Sequence, residues 1–265
     1  MAVRFVSVTA VLLAALTPPV AAHTLVALTA DGALVVFRTD RPAATSTVEP
    51  RGLSGRLIGI DTRPAGGRLY GVTTTNDVYR LDATSGEATL VSTLTVPFDG
   101  AERSGVDFTP QADRLRLLSA DGQNLRVNVD LGATATDGAL VYAAGDANAG
   151  RRPRITAAAY TNAVAGAATT ILFEIDAALD VLAVQEPPND GVLRTVGPLG
   201  VDFGPHGGFD IVTEAGGDRA YAASGATLYA MDLTTGAARS LGTIGDGSAS
   251  VVSLAVSAAV AVPGP

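Results

Sequence analysis

Hydrophobic and polar residues alternate with a period of two in many short segments of the chain. Such runs cover residues 69–72, 78–81, 115–119, 125–130 and 227–231, and glycine, aspartate or threonine bounds them. A period of two is typical of a half-buried β-strand, and the bounding residues favour tight turns. No segment carries the apolar spacing of an amphipathic helix. The sequence therefore predicts an all-β protein.

The predicted strands recur in a repeated unit. The segments that begin at Gly59 (GIDTRPAGGRLYGV), Gly105 (GVDFTPQADRLRLL) and Gly208 (GFDIVTEAGGDRAYAA) share a glycine, an apolar residue, an aspartate, a loop and then an arginine. Weaker copies begin at Ala157 and Val251, so successive units start about 44 to 52 residues apart. A unit of this size with four short strands is typical of a β-propeller blade.

The two ends of the chain each carry part of a unit. Residues 25–40 resemble the middle strands of a unit that lacks its first strand, and residues 251–256 resemble a lone first strand. Pairing the two ends completes a fifth unit and leaves no open sheet edge. The sequence therefore predicts a five-bladed β-propeller closed by pairing of the N- and C-terminal strands.

The first residues predict export from the cell. Arg4 precedes an apolar run, and Val20-Ala21-Ala22 offers small residues for cleavage after Ala22. The run is too short for a membrane-spanning helix, which needs roughly 20 apolar residues. We expect a signal peptide at 1–22, a single β-propeller domain at 23–256 and a short apolar tail at 257–265. The mature protein is expected to be a secreted or periplasmic monomer with no membrane span.

Composition excludes several kinds of chemistry. The formal net charge of −8 would repel a phosphate backbone, so we expect no nucleic-acid partner. The absence of cysteine excludes disulfides, thiol nucleophiles and thiolate metal sites, and the absence of lysine excludes Schiff bases. His23 and His206 are the only histidines, and neither is well placed for a serine hydrolase triad.

Three aspartates, Asp61, Asp107 and Asp210, occupy the same place in three repeats. This place falls on the predicted innermost strand, so the carboxylates can surround the central channel. Converging carboxylates suit a hard cation such as calcium, which takes six to eight oxygen ligands as a rule. In the alternative interpretation, each aspartate pairs within its own blade with the arginine that follows it, and these arginines are Arg68, Arg114 and Arg219.

A second candidate site lies in the second repeat. Strand alternation places Arg114 and Arg116 on one face of a strand, and three further polar residues on one face of the next strand: Asn124, Arg126 and Asn128. Guanidinium groups bind carboxylate and phosphate, so this set is a candidate for binding an anionic ligand. The alternative is a network between blades in which the arginines pair with one or more nearby aspartates, namely Asp107, Asp130 or Asp137.

The segments GVDFTP, DRLRLLSADGQNLRVN, DGALVYAAGDANAG and AYTN, within residues 105–162, resemble an uncharacterised bacterial family with a domain of unknown function. The resemblance extends over residues 25–256. It implies an exported, β-propeller-like repeat protein, and it implies no catalytic residue.

These observations favour a non-enzymatic binding or interaction module that recognises an unknown extracellular or periplasmic ligand. The alternative is a metal-dependent hydrolase or lactonase of propeller type, in which the three aspartates are the metal ligands. Calcium is the one cofactor that the sequence suggests.

Overall fold

The computed structural model of the chain describes residues 22–100 and 103–257. These residues form strands in five sheets and one short 3-10 turn, Pro188–Asp190, with no α-helix among them. The prediction of an all-β, five-bladed β-propeller is confirmed. Residues 1–21 of the predicted signal peptide and residues 258–265 of the predicted tail lie outside the described residues. Within the described part, no helix is long and apolar enough to cross a membrane.

Each sheet is one blade, and four of them begin with their innermost strand. Blade 1 contains β4 (Leu57–Arg63), β5 (Arg68–Thr73), β6 (Asp77–Leu81) and β7 (Ala88–Thr93). Blade 2 contains β8 (Ser104–Thr109), β9 (Arg114–Ser119), β10 (Asn124–Asn128) and β11 (Ala133–Thr136). Blade 3 contains β13 (Ile155–Tyr160), β14 (Leu172–Asp176), β15 (Val181–Gln185) and β16 (Val192–Pro198). Blade 4 contains β17 (Gly208–Glu214), β18 (Gly217–Ser224), β19 (Thr227–Met231) and β20 (Ala238–Thr243).

Blade 5 combines the two ends of the described chain. Its innermost strand is β21 (Val251–Ser257), which pairs antiparallel with β1 (Thr24–Thr29) from Thr24 opposite Ser257 onward. The blade continues outward with β2 (Leu34–Arg38) and β3 (Arg41–Val48). The predicted closure between the N- and C-terminal strands is therefore confirmed.

Blade 3 has one strand that the repeat pattern does not contain. The short strand β12 (Val141–Tyr142) pairs in parallel with the outer strand β16. It precedes blade 3 in the chain and extends that sheet at its outer edge.

The five innermost strands contact one another in the cyclic order β4, β8, β13, β17 and β21 around the axis. Between each pair of adjacent blades lies a separate cluster of buried apolar side chains, which alternation along the strands supplies. On β9, for example, Leu115 and Leu117 contact blade 1, while Leu118 contacts blade 3. Burial between blades is thus the main stabilising force of the fold.

The glycine that opens each clear repeat is required by the close approach of neighbouring innermost strands. A Cβ on Gly105 would lie 2.7 Å from the Cβ of Ala158 on β13. A Cβ on Gly208 would lie 2.2 Å from the backbone nitrogen of Leu254 on β21. Because a backbone atom cannot move aside as a side chain can, Gly208 has the stricter requirement.

Candidate functional site

The three repeated aspartates meet at the centre of the propeller. Asp61 on β4, Asp107 on β8 and Asp210 on β17 are buried, with 4%, 4% and 6% of their surface exposed. One carboxylate oxygen of each lies within 4.8 Å of those of the other two. We refer to these three residues as the aspartate belt.

Each aspartate of the belt binds a backbone N–H group of the next blade. The donor is always the residue that follows the equivalent position on the neighbouring innermost strand. The three pairs are Phe108 N to Asp61 Oδ2 (2.6 Å), Tyr160 N to Asp107 Oδ1 (3.2 Å) and Val256 N to Asp210 Oδ2. This pattern identifies Ala159 and Ala255 as the residues of blades 3 and 5 that stand where the other blades have aspartate.

Two aspartates also compensate for those alanines. Blade 4 follows one alanine and blade 1 follows the other, so two N–H groups, those of Thr62 and Ile211, face no carboxylate from the preceding blade. Asp61 accepts the N–H of Thr62, and Asp210 accepts that of Ile211, each at 2.6 Å. Three carboxylates thus bind five N–H groups, one on each innermost strand. A buried N–H without a partner is costly, so the belt stabilises the ring of blades.

Burial shifts the titration of the belt. Loss of solvation raises the pKa of Asp107 well above its usual range, and the charges of Asp61 and Asp210 raise it further. Burial and the charge of Asp210 raise the pKa of Asp61 in the same way. Burial raises the pKa of Asp210 to about 7, although two backbone N–H groups oppose the shift. The belt therefore retains protons at a pH at which exposed aspartates have lost them.

The alternative in which each aspartate pairs with the arginine that follows it, Arg68, Arg114 or Arg219, is wrong. In each hairpin, the arginine lies two residues before the residue that stands opposite the aspartate. The opposite residues are Tyr70, Arg116 and Tyr221. Arg219 donates to Glu214 at 3.3 Å, and Arg114 donates to backbone carbonyls of the turn before it. Among residues 22–100 and 103–257, no ion pair joins the belt to an arginine.

The belt has the chemical groups to hold a hard cation or to share protons. Asp107 uses only one oxygen for a backbone N–H, and the other carboxylates keep lone pairs beyond those that accept N–H groups. Oxygen ligands of this kind suit calcium. Calcium binding by Asp61, Asp107 and Asp210 stays a prediction.

The second predicted site contains a buried arginine between blades 2 and 3. Arg116 on β9 is only 1% exposed. Its guanidinium donates to Asn124 Oδ1 (2.7 Å), Asp137 Oδ2 (2.5 Å), Asn189 Oδ1 (2.9 Å) and Tyr160 Oη (3.1 Å). The partners come from both blades, so this charge connects blade 2 to blade 3.

Arg126 extends the same network. It binds Asp137 through two parallel hydrogen bonds of 2.6 and 2.9 Å. Burial alone would raise the pKa of Asp137, but the hydrogen bonds from Arg126 and Arg116 outweigh burial and lower it. Asn128 instead accepts the backbone N–H of Asp130 at 3.1 Å.

Of the five predicted ligand-binding residues, the structure therefore brings together Arg116, Asn124 and Arg126, and it leaves Arg114 and Asn128 outside. The predicted alternative, a network between blades through Asp137, is present. Anion binding by this set stays a prediction.

Glu174 lies at the same interface and was not recognised from the sequence. It is fully buried on β14, and neither carboxylate oxygen has a hydrogen-bond partner among the described residues. Burial raises its pKa well above the usual range, although the charge of Arg116 opposes this shift.

A ring of polar residues surrounds the end of the channel at which the innermost strands begin. One residue from each blade stands four residues before the aspartate of its innermost strand, or before the alanine that replaces it, and five residues before it where a β-bulge adds a residue. These residues, which we call the mouth ring, are Arg56, Arg103, Arg154, His206 and Ser250. Three of the five are arginines, in a chain whose formal net charge is −8.

The sequence holds a signal for the mouth ring, but β-bulges obscure it. Arg103 stands two residues before the repeat glycine Gly105, whereas Arg56 stands three residues before Gly59. The innermost strand of blade 1 has a register shift at this point and that of blade 2 has none. A bulge adds one residue, so the two arginines are equivalent in space although they are not aligned in sequence.

The fold and its buried polar groups define a β-propeller of five blades with a carboxylate belt on its axis. The chain belongs to the family described as Domain of unknown function (DUF4394), which matches residues 33–255. The family resemblance found in the sequence is therefore confirmed. A comparison with curated proteins finds no match.

A solved structure with similar architecture is a protein of unknown function from Bacteroides thetaiotaomicron VPI-5482. It has a TM-score of 0.52 and 16% sequence identity, and the alignment covers 86% of this chain and 62% of that protein. This chain thus spans less than two thirds of the length of that protein, and the likeness shows the fold alone.

Two other structures align with lower scores, and at these scores the likeness supports no inference. A catalytically inactive virginiamycin B lyase from Staphylococcus aureus with quinupristin has a TM-score of 0.44 at 10% identity, covering 83% of this chain and 69% of that chain. An auxiliary nutrient binding protein from Bacteroides thetaiotaomicron VPI-5482 has a TM-score of 0.44 at 15% identity, covering 74% of this chain and 55% of that chain.

Proposed function

We propose that this chain is an exported, non-catalytic binding propeller that takes its ligand at the mouth ring. The observation that carries the proposal is the repetition of basic side chains at one equivalent position, with Arg56, Arg103 and Arg154 in three of the five blades. Such a ring attracts negatively charged groups to one end of the channel, even though the whole molecule is acidic.

The burial of the aspartate belt supports a binding role over a catalytic one. Its carboxylates are at most 6% exposed and bind backbone N–H groups. They therefore have a structural role, and a substrate has little access to them. A hydrolytic metal centre needs an open coordination position that water and substrate can reach. The mouth ring, in contrast, includes the exposed residues Arg56 and Arg103.

A ligand screen with matched variants tests the proposal. Thermal shifts of the mature protein are measured against a panel of extracellular glycans, peptides and small anions. The double variant Arg56→Gln/Arg103→Gln is compared with Arg80→Gln/Arg239→Gln, which makes the same change of charge at exposed positions of β6 and β20. We expect a ligand that stabilises the wild type and the control but not the mouth variant. Ligand binding that is equally strong in the wild type and in the mouth variant, or turnover of any panel compound, contradicts the proposal.

Export is tested separately, on the protein recovered from a bacterial host. Sequencing the N-terminus of the material outside the cytoplasm should find His23 as the first residue, because Val20-Ala21-Ala22 fits signal-peptide cleavage. An unprocessed N-terminus in the cytoplasmic fraction would contradict export.

The second candidate function is a metal-dependent hydrolase or lactonase centred on the aspartate belt. The observation that favours it is the convergence of the three carboxylates within 4.8 Å. This candidate requires bound metal, a thermal midpoint that falls with a chelator, and hydrolysis that Asp107→Asn abolishes. Freshly purified protein with no stoichiometric metal and no response to the chelator would remove it.

A further inference from the structure

A pocket of about 440 Å³ opens beside the mouth ring, between blades 2, 3 and 4. Two mouth-ring residues, Arg103 and Arg154, contribute to its wall. The other side of the pocket is formed by Asp202, Gly204 and Pro205, which precede the innermost strand of blade 4. A volume of this size accommodates a small organic molecule and is larger than a single ion requires.

A buried hydroxyl without a partner also lines this pocket. Thr156 is the extra residue at the β-bulge of β13, between the ladder positions of Ile155 and Ala157. It is 2% exposed, and its Oγ1 has no hydrogen-bond partner among the described residues. Leaving such a group unpaired is costly, and a bound acceptor in the pocket would satisfy it.

The charges around the pocket favour an anion. Arg154 donates to Asp121 at 3.0 Å, and Arg152 donates to the same carboxylate at 3.2 Å. Arg103 and Asp202 add one charge of each sign. Among the described residues around the pocket, three arginines thus stand against two aspartates, which leaves a net charge of one positive.

His206 adds no charge to this balance. Burial and the charge of Arg103 both lower its pKa, so its imidazole is neutral at neutral pH.

We infer that this pocket binds the oxyanion group, carboxylate or phosphate, of a small organic molecule. Arg103 and Arg154 provide guanidinium donors, whose planar geometry matches both kinds of oxyanion, and Thr156 provides a neutral donor from the wall. This inference rests on the proposed binding function at the mouth ring and names the chemical class of the ligand.

Calorimetric titration of the full mature chain tests the inference, with inorganic phosphate, glycerol 3-phosphate and citrate as probes. Ionic strength is held constant with sodium chloride, so that a general salt effect is excluded. Comparing the two phosphates with citrate distinguishes recognition of phosphate from recognition of carboxylate. Comparing glycerol 3-phosphate with inorganic phosphate shows the contribution of the organic part.

The variants have distinct expected effects. Arg103→Gln should weaken binding of the best probe by about 10-fold or more, because a charge-assisted hydrogen bond is lost. Thr156→Val keeps the shape of the side chain and should weaken binding about 3- to 10-fold. Asp202→Asn should strengthen binding several-fold, because a like charge leaves the pocket wall. Arg80→Gln, at an exposed position of β6, should leave the affinity unchanged.

The outcomes separate this inference from the proposed function. If no probe binds, while a ligand of the larger panel binds in a manner that depends on Arg56 and Arg103, the inference fails and the proposed function stands. If a probe binds wild type and Arg103→Gln equally, an adventitious site is responsible and the inference fails. If neither the probes nor the panel bind at the mouth, both fail.

Discussion

The aspartate belt and the Arg116 network are both buried and charged, yet they are stabilised in opposite ways. The belt gathers three acids without a basic partner among the described residues. Hydrogen bonds from backbone N–H groups, together with protons that the carboxyl groups retain, offset the charge. The network surrounds the Arg116 guanidinium with carbonyl, carboxylate and hydroxyl oxygens from two blades. A β-propeller therefore tolerates charge on its axis by hydrogen bonding to the backbone, and charge between blades by complementary side chains.

The two regions also respond to pH in opposite directions. The belt has raised pKa values, so its contribution to stability is complete below the unfolded-state pKa of about 4 and is lost as the pH rises towards the folded-state values. Asp137 in the network has a lowered pKa, so its contribution is complete above about pH 4 and is lost as the pH falls.

The largest effect is expected from Arg116→Met, which keeps the length of the side chain and removes the charge. Asn124, Asn189 and Tyr160 lose a buried partner, so the free energy of unfolding should fall by about 3 to 5 kcal/mol in urea titration. Arg126→Met is the matched control, because Arg126 binds the same Asp137 but its side chain is 34% exposed. A loss for Arg116→Met no greater than that for the control would contradict the assignment.

Asp61→Ala should have the next largest effect. It leaves the N–H groups of Thr62 and Phe108 without an acceptor, and relief of repulsion within the belt offsets part of the cost. We expect a loss of about 2 kcal/mol in the free energy of unfolding at neutral pH. The control is Asp61→Asn, whose side-chain carbonyl can still accept one N–H. Equal losses for the two variants would show that the N–H groups do not depend on the side-chain oxygen.

Glu174→Met tests the buried carboxyl that lies at the same interface as the Arg116 network. Within residues 22–100 and 103–257 the carboxyl has no hydrogen-bond partner, and it faces an apolar cluster between blades 2 and 3. Replacing it with an apolar side chain of similar length should raise the free energy of unfolding by about 1 to 2 kcal/mol. The same titration with Glu174→Gln should give a smaller gain, and a clear loss for Glu174→Met would mean that the carboxyl has a stabilising partner.

The smallest effect is expected from Asp107→Asn, and it should depend on pH. The amide carbonyl can still accept the N–H of Tyr160, and one buried charge disappears. The variant should be more stable than the wild type by about 1 kcal/mol at pH 7.5, and the difference should vanish near pH 4 as the wild-type belt is protonated. Destabilisation at pH 7.5 together with a wild-type thermal midpoint that a chelator lowers would instead favour a bound cation.

Repetition in the sequence was sufficient to predict the blades, their closure and the common position of the three aspartates. It did not predict that Ala159 and Ala255 hold the same place in the other blades, because alanine gives no signal at a position defined by aspartate. The pairing with Arg68, Arg114 and Arg219 was wrong because the hairpin register, which depends on turn length, decides which side chains face each other.

Two other features were beyond the sequence pattern for geometric reasons. The equivalence of Arg56 and Arg103 is hidden by a β-bulge that shifts one repeat by a residue. The parallel pairing of Val141 with Val192 joins segments that share no motif and lie far apart in the chain. Both follow from the path of the backbone through space, which a repeat alone does not define.

The discontinuous origin of blade 5 has a consequence for how the molecule is made. Strand β1 is synthesised before its inner neighbour β21, which follows only after about 220 further residues. Until then β1 is an unpaired edge, Asp210 lacks the Val256 donor, and the apolar side chains between blades 5 and 1 are uncovered on one side. Folding of this propeller is therefore completed only after β21 has been synthesised, and β1 is among the last strands to gain both of its neighbours.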